Sequence, residues 1–140
     1  MSNYSDIFTG LKTILEANVT GLKSHEHPPD HVNHFPSAIP IPDAFEPEMA
    51  FGGNTFDARI RIIVLVSSAE SSVGWAALMD MIDPTTANKS IIKAIRDNRT
   101  LDSKVDSSRI VSVENIGRRE LWGGFYFGFD VVIEAIKAVA

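Results

Sequence analysis

The 140-residue chain predicts an α+β fold, a single domain in which helices pack on one face of a mostly antiparallel sheet. Three observations carry that expectation. Ile7, Leu11, Ile14 and Leu15 recur at helical spacing near the start of the chain. TFDARIRIIVLVSS (55–68) and FYFGFDVVIE (125–134) alternate with a period of two. The elements then run in the order helix, short strands, long strand, two helices, hairpin, which is the sequence of an α+β layout rather than of repeated βαβ units.

Each element has a local reason. Ser5 or Asp6 is placed to cap the first helix, and Asn18 ends it near Gly21. Six prolines between residues 28 and 47 exclude helix from the next segment, because each lacks an N–H donor and fixes φ. Short extended pieces fit there, at 22–25 and 38–41. Phe51-Gly52-Gly53-Asn54 signals a turn into the long strand. In that strand Phe56, Ala58, Ile60, Ile62, Val64 and Val66 share one face, while Thr55, Asp57, Arg59 and Arg61 share the other until Ile63 and Leu65. The strand therefore starts with a wet side and ends covered on both.

After a serine-rich turn at 67–72, Trp75, Leu78, Met79 and Ile82 stand at i, i+3, i+4 and i+7 and predict the buried stripe of a second helix, stopped by Asp83-Pro84. Ser90 predicts the N-cap of a short helix over 91–97, with Arg96 and Arg99 suited to its C-terminal end. Segments 109–116 and 125–134 read as a closing pair of strands joined through 117–124. In the last strand Phe125, Phe127, Phe129, Val131 and Ile133 form a stripe facing the core.

Composition narrows the function. With 44% hydrophobic and 22% charged residues the chain is an ordinary globular protein. A formal net charge of −5 disfavours nucleic-acid recognition as a primary role. The absence of cysteine removes disulfides, thiolate ligands and a cysteine nucleophile, and fits a reducing compartment. The opening MSNYSDIF has neither the basic start nor the apolar core of a signal peptide, and no apolar run approaches the ~20 residues that span a bilayer, so neither export nor a membrane partner is expected.

All four histidines lie in HEHPPDHVNH (25–34). His25 and His27 would project to one side of an extended segment and could begin a zinc or copper site, with His31 or His34 as a third ligand. The spacing matches no known ligand framework, and no metal or other cofactor is expected. The carboxylate pairs Glu46/Glu48, Asp80/Asp83 and Asp102/Asp106 are explained by solvated loops and helix ends. No G-x-S-x-G elbow and no glycine-rich phosphate cradle occurs, so no catalytic residue is assigned and an enzyme is not expected. What stands out is an extended loop at 43–54 with Phe45, Met49 and Phe51 outside any periodic element. Folded back, they belong to their own core; laid across a neighbour, they are apolar anchors of an assembly.

The segments PPDHVNHFPSAIPIP (28–42), FGGNTFDARIRIIVLVSS (51–68), SIIKAIRDNRTLDSKVDSSRIVSVENIG (90–117) and GGFYFGFDVVIE (123–134), in this order after an amphipathic helix, resemble the tail terminator proteins of long-tailed bacteriophages. The resemblance spans nearly the whole chain. It implies a structural virion protein at the head-proximal end of the tail, assembled in the host cytoplasm. Its partners would be further copies of itself in a ring, typically a hexamer, the major tail tube protein, and the head connector. DNA would pass through the lumen without specific binding. The ring stops tube polymerisation and offers the head-docking surface; no catalytic residue or cofactor is carried over. On this chain the 43–54 loop resembles the arm that reaches a neighbouring subunit, and the hairpin around Arg118, Arg119 and Trp122 is a further contact. Asn88-Lys89 departs from the family, which often has glycine before the S-I helix, as do His25 and His27, where aromatic or other polar residues are usual. The alternatives are another neck component, a head-completion or connector-adaptor protein, or a histidine-based metal-binding protein.

Overall fold

The computed structural model describes residues 3–25, 34–46, 55–68, 72–86, 88–121 and 124–138. In chain order the elements are α1 (Asn3–Asn18), β1 (Lys23–Ser24), β2 (Ser37–Glu46), β3 (Thr55–Ser68), α2 (Ser72–Ile82), α3 (Ile91–Asp97), β4 (Ser107–Leu121) and β5 (Gly124–Ala138). The strands form one sheet in the order β1-β2-β3-β5-β4, antiparallel throughout except for the β1–β2 pair. The α+β expectation is met.

The helices lie on one face because the strands turn one apolar row towards them. Ala58, Ile60, Ile62 and Val64 of β3 stand opposite Ala135, Ile133, Val131 and Phe129 of β5, and all eight are fully buried. Onto this row α1 packs Ile7, Leu11, Ile14 and Leu15, and α3 packs Ile91, Ala94 and Ile95. The α1 stripe is the expected one. Its end is also as expected, since Asn18 Nδ2 donates back to Ile14 O at 2.8 Å and Gly21 takes a φ of 78°. At Gly10 an added Cβ would lie 2.2 Å from the Leu101 carbonyl oxygen, so a bare backbone is what lets α1 approach the 101 turn.

Ser90 caps α3, its hydroxyl accepting from Lys93 N at 3.1 Å. Asn88, just before it, has a φ of 62° and so does the left-handed work for which glycine is the usual residue.

The first helix starts at Asn3, so Ser5 and Asp6 lie inside it instead of capping it; four further expectations need correction. In α2 the buried residues are Leu78 and Met81 with Gly74, whereas Trp75 is 49% and Met79 39% exposed. The helix is apolar on almost every side, so spacing alone admits two registers, and close approach at Gly74, where a Cβ would meet Ser67 Oγ at 2.0 Å, selects the other one. Secondly, the stretch 117–124 is no connection: β4 runs on to Leu121 and β5 starts at Gly124. The strand absorbs Asn115 (φ 54°) and Gly117 (φ 127°) in a bulge between Glu114 and Gly117, so the turn-like residues sit inside it. Thirdly, Phe125 is 51% exposed; the aromatic stripe faces the core only at Phe129. Lastly, the loop expected at 43–54 begins later than 43. Residues 43–46 belong to β2, with Phe45 opposite Ala58 in register, and Asp43 falls at a bulge between Pro42 and Ala44. Met49, Phe51 and the rest of 47–54 lie outside the described residues.

Candidate interaction surfaces

The sheet face away from the helices is divided. Towards the hairpin it carries a small apolar cluster of Ile39, Ile63, Leu65 and Tyr126, with Phe35, Ile41 and Leu121 packed against it. Phe35 and Tyr126 meet with ring centroids 5.7 Å apart. Beside this cluster lies a belt of charge running across four strands. Arg61 of β3 donates to Asp43 at 3.3 Å, Glu114 at 3.4 Å and Asp130 at 2.9 Å. Asp130, with only 2% of its side chain exposed, also accepts from Asn115 at 2.9 Å and from Arg119.

A second group follows along the same face. Glu134 accepts from Arg109 at 3.0 Å and from Arg59 at 3.4 Å. Its shared hydrogen bond with Asp57, reinforced by Arg109 and Arg59, holds its carboxyl below the usual range. The Glu114 carboxyl is likewise lowered, first by the Ser112 hydroxyl and then by Arg61. The Asp130 carboxylate, followed by Asp43, raises Arg61 further. These charges are satisfied within the chain, which makes the belt a structural device before it is a contact surface.

The helix side of the hairpin is different. Trp75 of α2 meets Phe127 edge-on, ring centroids 6.0 Å apart, and Phe125 follows two residues along the strand under the Arg118 guanidinium, 4.7 Å from its ring centroid. Phe125 and Trp75 are each about half exposed. Aromatic side chains and arginine at partial exposure are the residue types enriched where proteins bind proteins.

The sheet edges, by contrast, are poorly suited to pairing with another chain. Among the described residues, β1 covers β2 only at Ser37 and Ala38. Beyond them Pro40 and Pro42, each paired to β3, have no N–H to offer on the open side. The β4 edge is interrupted by bulges after Ile110 and after Glu114.

Of the residues singled out from sequence, Arg118 lies on the aromatic surface, whereas Arg119 is turned to Asp130 with 18% of its side chain exposed. Trp122 lies outside the described residues, as do His27 and His31. His25 N donates to Ala38 O at 2.8 Å just past the end of β1, and His34 Nε2 donates to Gly21 O at 3.0 Å. Among the described residues no three histidine, aspartate or glutamate side chains are grouped to hold a metal ion, and no helix is long and apolar enough to cross a membrane. Sequence reasoning missed Trp75 and Phe125 as surface residues, having assigned both to the core. The one signal pointing outward was Arg118 two residues before Glu120 in a segment read as a turn. No protein-family model and no curated protein matches the chain.

Proposed function

We propose that the chain is a structural subunit of a phage tail, a tail terminator that assembles into a ring, of six copies in the family it resembles, on the end of the tail tube. The observation that carries this reading is the half-exposed surface of Trp75, Phe127 and Phe125 beneath Arg118, a patch that burial in an assembly would dry. The sequence resemblance supplies the kind of assembly. Tube protein and head connector are then the two axial partners, and DNA passes through the ring.

Light scattering and negative-stain imaging of the purified protein, alone and mixed with tail tubes, test the reading. Rings seated on tube ends are the expected result. A protein that stays monomeric at high concentration and leaves tube ends bare would refute it, and rings that bind the portal side while ignoring tubes would reassign it to another neck component.

A further inference from the structure

Of α1, α2 and α3, only α2 has an apolar outer side. α1 turns Ser5, Thr13 and Glu16 to solvent and α3 turns Arg96 and Asp97, as surface helices do. In α2 the side away from the sheet carries Trp75, Ala76 and Met79, all exposed. The helix crosses the sheet. Its first turn lies over β5, where a Cβ on Gly74 would meet the Phe127 ring at 3.0 Å, and near its end Met81 lines a groove with Val66 of β3 and Pro36. Arg118 stands beyond the first turn, since it pairs with Phe127 in the β4–β5 register. Asp83 stands beyond the last, one residue past the helix and exposed.

The line therefore runs from a cation to an anion through apolar side chains. Arg118 rests on the Phe125 ring and makes no ion pair among the described residues, and Glu120 is one pair further out, opposite Phe125. At the other end Asp80 has Lys89 at 3.8 Å, whereas Asp83 Oδ1 accepts from Thr85 N at 2.9 Å and Thr85 Oγ1 at 2.7 Å. No acidic residue stands in the first turn of α2 and no basic one in its last. A helix is positive at its N-terminus and negative at its C-terminus, so Arg118 and Asp83 each stand at the unfavourable end of their own helix. An antiparallel neighbour of the same kind brings each to a favourable end.

We propose that the free chain pairs with a second copy across this line, α2 antiparallel to α2 about a twofold axis beside Ala76. Trp75 of each copy then meets Met79 of the other, and Arg118 of each meets Asp83 of the other, as a self-complementary contact requires. A parallel neighbour would set like charges together. Half of two aromatic side chains and part of Met79 amount to on the order of 300 Å2 per copy, below the ~800 Å2 per partner of a stable interface. The pair is therefore weak and reversible. It uses the surface that carries the ring reading but does not rest on that reading, because it concerns the chain before it meets a tube.

The test is sedimentation equilibrium of the full chain at low salt, at concentrations up to about 1 mM, the range in which so small an interface associates. A monomer–dimer equilibrium is expected. Arg118→Glu and Asp83→Lys should each weaken it about tenfold or more, and the double variant should recover most of the loss, because only this pairing sets the two residues against each other. Ala76→Cys, the only thiol in a chain without cysteine, should give a disulfide-linked dimer on oxidation, whereas Ser107→Cys on β4 should not. Circular dichroism should stay native throughout, since all four side chains are exposed. A monomer over the whole range, single variants that pair as well as the native chain, or a double variant no better than the singles overturns the proposal. Rings on tube ends from a chain that is monomeric when free would remove the pair and leave the ring reading; a dimer that leaves tube ends bare would do the reverse.

Discussion

The two faces of the sheet are built from the same strands on different principles. On the helix side, Ala58, Ile60, Ile62 and Val64 meet Ala135, Ile133, Val131 and Phe129 in register beneath three helices. That face is held by area removed from water, which has no direction and tolerates changes that keep volume. On the other side Asp130 sits between Arg61 and Arg119, with Asn115 and Glu114 completing the belt. Those bonds have direction, and the loss of one partner leaves a charge with nothing to answer it. The helix face therefore fails by cavities, the open face by orphaned charges.

The largest effect is expected from the helix face. Phe129→Ala removes a fully buried ring and should cost about 3–5 kcal/mol, read as a drop in the urea midpoint with unchanged slope. Asp130→Ala should cost about 3 kcal/mol, because Arg61 and Arg119 lose their shared acceptor; adding Arg119→Ala should return part of that loss, a non-additivity that no cavity would give. Gly128→Ala places a Cβ 2.2 Å from the Val64 carbonyl oxygen and should cost about 1–3 kcal/mol, since the obstacle is backbone of a paired strand.

Acid separates the faces more gently. Glu134 and Glu114 have lowered pKa values in the folded chain, so on acidification the unfolded chain takes up their protons first. Their contribution is present above the ordinary carboxylate pKa of about 4.3 and fades as pH falls below it through the folded values. Glu134→Gln should flatten that part of the curve, and an unchanged slope would show that the belt is already lost by then. The smallest effect on folding belongs to Phe125→Ser, which should stay within about 0.5 kcal/mol of the native stability. If the ring reading holds, light scattering of the same variant should show assembly lost.

Much of the fold was legible because it follows local rules. The α1 stripe, the Ser90 cap and the alternation of β3 each depend on residues close in sequence, and the order of elements was enough to place the helices on one face. The α2 register was not legible, because VGWAALMDMI is apolar on nearly every side and only the approach of Gly74 to Ser67 chooses between stripes. The extent of β4 was hidden for a related reason. Asn115 and Gly117 look like a turn, and it is the ladder to β5 that absorbs them as a bulge.

The candidate surfaces show the same division. Period-two alternation by itself determined that β3 and β5 have a core side and that β3 begins wet. Whether Phe125 at the end of that stripe is covered is a matter of which residues pack on it, and the Trp75 ring of α2 meets Phe127 while Phe125 stays half exposed. Likewise the sequence alone contains Arg99 and Ser108 without relating them, although each donates to the other's carbonyl oxygen. The left-handed turn at 101–103 brings them together, and backbone sign at non-glycine residues is decided by tertiary packing, here of the buried Leu101, rather than by local preference.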